Sequence, residues 1–439
     1  MRRVPVNATR PDWLELTQQQ GLLYWYNELP DGTRVPYWTE GAHYEISDRE
    51  VAALEQHATT LLEMCVAAGD HVVHHGLWDR FRIPEFAREG VARTWNADAP
   101  RLYGRFDLRY AGPGPQADAD PSLLVPQLYE FNADTPTTLV EAAVIQWHWF
   151  TDLALGHDQW NGLHEHLVQA WRDELAPVVA RLGYKPVIHL ACSADERTGE
   201  DLMTVQYLRD TALEAGFPTR TVLMEEIVRK TYTVPVSSPT GLTAVEERPA
   251  FFDPQGQHID VIFKLYPWEW MVEQEFGPDV FRDLAKPAAD PYGPTVWIEP
   301  PYTMLWSTKA LLPVLWQLYA DDPVRRQLLL PSWFEDERPA GLRDYVRKPL
   351  FGREGSNITV VRDGRTVLET DGPYTAAPFV VQQLAELPEY PDAFGNPRHP
   401  LTTVWLVAGE PRGMGIRETG GIITDNVSTF VPHVITWDL

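Results

Sequence analysis

The chain has 439 residues and a mass of 50.0 kDa, more than one small core accommodates, so two or three packed lobes are expected. Lys plus Arg (37) against Asp plus Glu (62) gives 37 − 62 = −25, which excludes nucleic acid or an anionic membrane as the main partner, since both reward basic faces. A hydrophobic share of 44% excludes a disordered chain, and two distant cysteines, Cys65 and Cys192, exclude a disulfide scaffold and a multi-cysteine zinc site.

Met1-Arg2-Arg3 is followed by polar residues from Asn7 to Trp13, not by an apolar signal core, and no long apolar run follows elsewhere. The expectation is a cytoplasmic protein, with the Asn-x-Ser/Thr triplets at Asn7, Asn357 and Asn426 read as chance.

Helical spacing starts at Ser47, with Asp48 or Ser47 as the N-cap, and runs through Val51, Leu54, Leu61, Leu62, Cys65 and Val66. His71, His74 and His75 close this helix; without a Cys or carboxylate set they read as ordinary helix residues. Arg101 to Tyr110 alternates as a strand, a Pro/Gly/Asp loop covers Ala111 to Ser122, and a second strand runs through Leu128 to Asn132, which predicts a hairpin. From Thr137 the pattern is helical, with a break near Gly156, to Ala180. Pro186 to Cys192 (strand), Glu200 to Ala215 (helix), Arg220 to Met224 and Ile259 to Tyr266 (strands) predict a βαβ unit in an α/β lobe. Val234 to Arg248, rich in Pro, Ser, Thr and Gly, reads as a surface excursion. A helix is expected from Met304 to Tyr319, then a polar stretch to Leu342 and short strands to the C-terminus.

Three segments can carry chemistry. Arg105-x-Asp107 and Glu130-x-Asn132 lie on neighbouring strands, and alternate strand residues share a face. Two carboxylates and an amide oxygen on one face are the hard ligands that Mg²⁺ takes, with a solvated sheet face as the plain alternative. Lys348 to Thr359 holds Gly352 and Gly355 around Arg353 and Glu354, a loop whose N–H groups can approach phosphate, or a tight hairpin with a surface lysine. Gly413 to Gly421 places Arg417 among four glycines, followed by Thr424-Asp425-Asn426. Lys309, taken singly, reads as a surface lysine. There is no GxSxG, HExxH, GxGxxG or GxxxxGK[ST].

The strings YEFNADTPTTLVEAA (Tyr129 to Ala143), IFKLYPWEW (Ile262 to Trp270), STKALLPVLW (Ser307 to Trp316), RKPLFGREGSNI (Arg347 to Ile358) and GMGIRETGGIITDNVSTFVPH (Gly413 to His433) together resemble the glutathionylspermidine synthase family of ATP-grasp carbon–nitrogen ligases. The resemblance implies an α/β (α+β) ATP-grasp fold with an accompanying pre-ATP-grasp-like α/β lobe. It divides the chain into 1–96 (N-terminal helical region), 97–180 (metal-binding strands and helix), 181–300 (pre-ATP-grasp-like lobe) and 301–439 (ATP-binding and lid part). It also implies ATP and Mg²⁺ as cofactors. Asp107, Glu130 and Asn132 match the metal ligands, Arg105 the arginine at the transferred phosphoryl group, and Lys309 and Lys348 the lysines that grip ATP. Arg353 and Arg417 match arginines near the phosphates and the reacting carboxylate, with Gly352 and Gly355 in the lid. Gln382 falls near the adenine hinge, where family members often have Gln-Glu; here Gln383 takes the second place.

Two departures concern the substrates. No amidase domain is expected before Ala52, and the Ala111-to-Gln127 loop is long and polar. The implied activity is amide-bond formation between a small-molecule carboxylate and an amine. A polyamine is one candidate for the amine, drawn by acidic Glu269, Glu273 and Glu275. The alternative is a degenerate ATP-grasp protein that binds nucleotide or polyamine without turnover. The motifs leave the acid and the amine open.

Overall fold

The computed structural model describes residues 1–28, 32–195, 199–237, 243–353, 355–374, 378–425 and 427–437; Glu354 and Asn426 lie outside the described residues. The chain forms two compact units. The first gathers Met1–Gly76, Tyr103–His166 and Leu305–Leu439, and the second gathers Leu77–Leu102 and Leu167–Met304. Among the described residues no helix is long and apolar enough to cross a membrane.

At the centre of the first unit is the strand Tyr103–Arg109, buried at every position because antiparallel strands flank it on both sides. Gln127–Asn132 pairs on one edge, with Arg105 opposite Asn132 and Asp107 opposite Glu130. Pro397–Val407 pairs on the other edge, and Glu410–Thr419 beyond it brings Arg417 opposite Leu401. The alternation therefore works as expected: polar residues share one face, while Phe106 and Phe131 pack as tilted rings with centroids 4.3 Å apart on the other. Inside the expected loop, a short helix Pro115–Ala119 and a 3₁₀ turn Pro121–Leu124 close over Ala111, Ala117 and Leu123.

A second antiparallel sheet in this unit has the order Ser332–Phe334, Phe379–Gln383, Tyr345–Pro349, Thr359–Arg362, Arg365–Glu369. The helix Asp48–His75 starts at the expected N-cap, with Ser47 and Glu50 forming a reciprocal capping box, and ends at Gly76 in the left-handed region. His71, His74 and His75 stay on its last turn, and among the described residues no three His, Cys, Asp or Glu side chains converge on a metal site.

The helical stretch expected from Thr137 holds a π turn at Glu141–Ile145, continues as Gln146–Leu153, breaks before Gly156 as expected and resumes as Leu163–Glu174 and Ala176–Leu182. One helical expectation changes. The Met304-to-Tyr319 helix divides into a 3₁₀ turn, Pro301–Leu305, and a helix that starts only at Leu311. The Thr308 hydroxyl accepts from Ala310 N at 3.3 Å, a side-chain bond that competes with helical pairing. Lys309 consequently sits in a turn, its amide bonded to Leu350 O at 3.0 Å.

In the second unit a parallel sheet has the order Val296–Ile298, Val261–Leu265, Ile188–Cys192, Thr219–Leu223. Helix Glu200–Glu214 makes the expected βαβ crossover, and the central strands are buried throughout, as doubly covered parallel strands must be. The excursion expected at Val234 to Arg248 is instead a ribbon: Val228–Ser237 pairs antiparallel with Thr243–Phe252, and its tip, 238–242, lies outside the described residues. β-Branched residues at Thr231, Thr233, Val234 and Val236 outweigh Pro235, which a two-stranded ribbon tolerates because every strand is an edge.

Candidate active site

One cleft of the first unit is lined by every residue matched above to the metal, phosphate and hinge positions: Arg105, Asp107, Glu130, Asn132, Lys309, Lys348, Gly352, Arg353, Gly355, Gln382 and Arg417. Arg105, Asp107, Glu130 and Asn132 stand on the polar sheet face, Lys348 and Gln382 on the second sheet. Glu269, Glu273 and Glu275 belong to the second unit, where Glu275 lies 3.6 Å from Arg229, and none of the three is among the cleft-lining residues.

The cleft lining is of two kinds. Tyr129, Val346, Val360, Leu384, Leu387 and Leu401 are its apolar part. Arg105, Lys309, Lys348, Arg353 and Arg417 with Asp107 and Glu130 are its charged part, a local balance of 5 − 2 = +3 inside a chain of −25. A concentrated positive field in a concave site draws a polyanion.

The charged part is held in place by its own contacts. Arg105 grips Asp107 through both arms, Nε at 2.7 Å and Nη2 at 3.0 Å, and donates from Nη1 to Thr137 O at 2.6 Å. Burial raises the Asp107 carboxyl, and the pull of Arg105 does not fully reverse this. Lys309 Nζ lies 2.9 Å from Glu130 Oε2 and donates to Gly352 O at 2.6 Å. Burial alone would raise the Glu130 carboxyl too, but Lys309 and Lys348 overrule it and hold it at about 2. Burial also lowers the Lys348 ammonium to about 8, against the attraction of Glu130. Arg353 Nη1 donates to Thr135 Oγ1 at 2.8 Å, and Arg417 Nη2 to Asp425 O at 2.5 Å.

The donor set fits a divalent metal and a phosphate chain. Arg417 Nε is buried without a hydrogen-bond partner, an orphan donor that an anion would satisfy. Asp107, Glu130 and the Asn132 amide oxygen can supply part of an octahedral oxygen shell, leaving the rest to phosphate and water. Both carboxylates hold cations of the protein here, so a metal would exchange against Arg105 and Lys309.

Sequence reasoning gave no role to Tyr129, Thr135, Leu384, Leu387, Ile422 or Ile423. Tyr129, Thr135, Ile422 and Ile423 lie inside quoted strings; Leu384 and Leu387 carry no pattern that separates them from an ordinary strand end.

Comparisons with known proteins point in one direction. The family described as glutathionylspermidine synthase preATP-grasp matches residues 5–436. A Haemophilus influenzae protein named "Putative acid--amine ligase" is 32% identical over 99% of both chains. Trypanothione synthetase of Crithidia fasciculata is 24% identical over 80% of this chain and 50% of its own. The bifunctional glutathionylspermidine synthetase/amidase of Escherichia coli is 24% identical over 70% of this chain and 47% of its own. The chain thus spans about half the length of these last two relatives. A solved structure, a glutathione synthetase-like effector (GSS30) of Globodera pallida in its apo form, aligns with a TM-score of 0.52 at 10% identity over 98% of this chain and 100% of its own, a likeness of fold.

Proposed function

Because the chain belongs to the glutathionylspermidine synthase family, matched over residues 5–436, and shares its ATP-grasp fold, we propose that the cleft uses ATP to join a carboxylic acid to an amine. The observation that carries this reading is the meeting of five cationic side chains and two carboxylates in one cleft that also offers apolar lining of the kind a purine packs on.

The chemistry follows from the groups. A carboxylate is anionic and has no good leaving group, so an amine does not attack it at neutral pH. Transfer of a phosphoryl group from ATP gives an acyl phosphate; the amine's lone pair then forms the C–N bond, inorganic phosphate departs with the C–O electrons, and the amine loses a proton. Lys348 and Lys309 balance charge along the phosphates. Arg353 and Arg417 orient the acid and hold the oxyanion of the tetrahedral species, worth about 3 kcal/mol per well-placed donor. Asp107, Glu130 and Asn132 would hold Mg²⁺, which supplies Lewis-acid neutralisation of the β- and γ-phosphates when bound. The Gly352–Gly355 loop closes over the cleft and keeps water from the acyl phosphate.

The names of the relatives and the charge of −25 favour a polyamine as the amine. The test is ADP release with pooled acids and pooled amines, followed by mass spectrometry of the product. Release that requires both pools supports the ligase; nucleotide binding without release under any combination would mark a protein that binds and does not turn over.

A further inference from the structure

Gln382 stands where the family resemblance puts an adenine-hinge residue, yet its contacts lead elsewhere. Its side chain lines the cleft but is only 1% exposed. Gln382 and Lys348 come from adjacent antiparallel strands: Lys348 pairs with Val380 and Val346 with Gln382, so the two side chains are diagonal neighbours on one face. Gln382 Oε1 accepts from Lys348 Nζ at 2.7 Å, the hydrogen bond that Nζ makes to protein among the described residues. The amide orientation is fixed chemically, since a flipped amide would point its NH₂ at an ammonium. Its Nε2 then donates to Leu128 O at 3.4 Å, reaching the neighbouring sheet. The backbone nearby is occupied in the same way: Gln383 N bonds Pro331 O at 2.8 Å, Leu384 N bonds Asp344 O at 3.2 Å, and Ala385 O accepts from Tyr129 OH at 2.6 Å.

We infer that Gln382 is a positioning residue for Lys348 and does not read the base, so that its contribution to nucleotide binding lies wholly at the phosphate end. This rests on the reading of the cleft as an ATP site. A buried lysine on a four-carbon stem loses rotamer freedom when it grips phosphate, and a fixed acceptor beside Nζ meets that cost before ligand arrives. Base selection is left to the apolar lining around Tyr129, Leu384 and Leu401.

Calorimetric titration of the full chain with MgATP and with magnesium tripolyphosphate separates the two roles. Gln382→Leu should weaken both ligands by the same factor, about tenfold, because the loss is a hydrogen bond to a charged group. It should weaken neither further in a Lys348→Met background. Gln382→Glu keeps an oxygen beside Nζ and should lie closer to wild type than Gln382→Leu for both ligands. Loss confined to ATP, with tripolyphosphate unchanged, would overturn the inference. So would additive losses in the double variant. If Gln382→Leu does not fold, Gln382→Glu decides alone, since a base reader turned from donor to acceptor loses ATP and spares tripolyphosphate. Wild-type protein that binds neither ligand would instead defeat the ATP reading itself.

Discussion

The Lys309 ammonium lies 2.9 Å from the Glu130 carboxylate, and the same Nζ donates to the Gly352 carbonyl at 2.6 Å. A carboxylate on the central sheet is thereby tied to the backbone of the Gly-rich loop through one lysine in a turn. Glu130 must release that lysine to ligate a metal, and Lys309 is then available to phosphate. Glu130→Ala should abolish ADP formation while circular dichroism stays native, because the strand keeps its ladder and Phe131 its packing. Full activity of this variant with Mg²⁺ would remove Glu130 from the metal site.

Asp107 faces the same demand with a different partner. If a divalent ion takes the carboxylate, it would compete with the bidentate contact to Arg105. Asp107→Asn should raise the Mg²⁺ concentration needed for half-maximal ADP release about tenfold, and chelation with EDTA should stop the wild-type reaction. An unchanged Mg²⁺ requirement would count against Asp107 as a ligand.

Two groups of the cleft make stability rise with pH, while ATP affinity should fall. The folded protein holds the Glu130 carboxyl at about 2, below its usual value near 4.5. Its stabilisation is therefore present above that usual value and lost as pH falls toward 2. Lys348 is lowered from 10.5 to about 8, so in the free protein between these values the unfolded chain binds more protons, and its contribution to stability rises with pH. ATP affinity runs the other way, because the phosphates need the charged ammonium. Binding titrations should weaken as pH rises through about 8. Lys348→Met should flatten that limb; a limb that persists would belong to another group.

Gly355 has φ of +71°, and a Cβ there would stand 3.0 Å from Ile423 Cγ2 and 3.3 Å from Thr424 O. Gly355→Ala should cost about 1–2 kcal/mol of loop conformation and lower kcat with little change in global melting. Hydrogen exchange over 348–357 should slow when a non-hydrolysable ATP analogue is added. Exchange indifferent to the analogue would argue against a closing lid.

If the amine is a polycation, the net charge of −25 should assist its capture. Its KM should then rise steeply between low salt and about 1 M, where the Debye length is about 3 Å, while a neutral competitor changes little. Indifference to salt, or preference for a zwitterionic amino acid, would remove polyamines and leave the ligase chemistry in place.

The polar face was legible early because period-two alternation is a local property: Arg105 with Asp107, and Glu130 with Asn132, need only their own strands. What lay hidden depends on pairing between distant segments. Asp107 meets Glu130 across an antiparallel register that includes a bulge, and Arg417 reaches the cleft through two strands inserted after position 396. Leu384 and Leu387, on either side of the charged Glu386, show no alternation or glycine signature that marks them as cleft lining. Lys309 read as entering a helix because its neighbours are helix formers; the Thr308 hydroxyl, a local competitor, moved the start to Leu311. Gln382 was placed near the base by resemblance alone, whereas its hydrogen bond with Lys348 depends on the pairing of two distant strands.

The central claim is that ATP activates a carboxylate for attack by an amine, and oxygen isotope transfer addresses it directly. The protein is incubated with MgATP, an amine pool and acids whose carboxylates carry ¹⁸O. The account predicts ADP release only when both acid and amine are present, a product whose mass is acid plus amine less water, and transfer of one carboxylate ¹⁸O to the inorganic phosphate. ADP release that ignores acid and amine, or phosphate that carries no ¹⁸O, would contradict it.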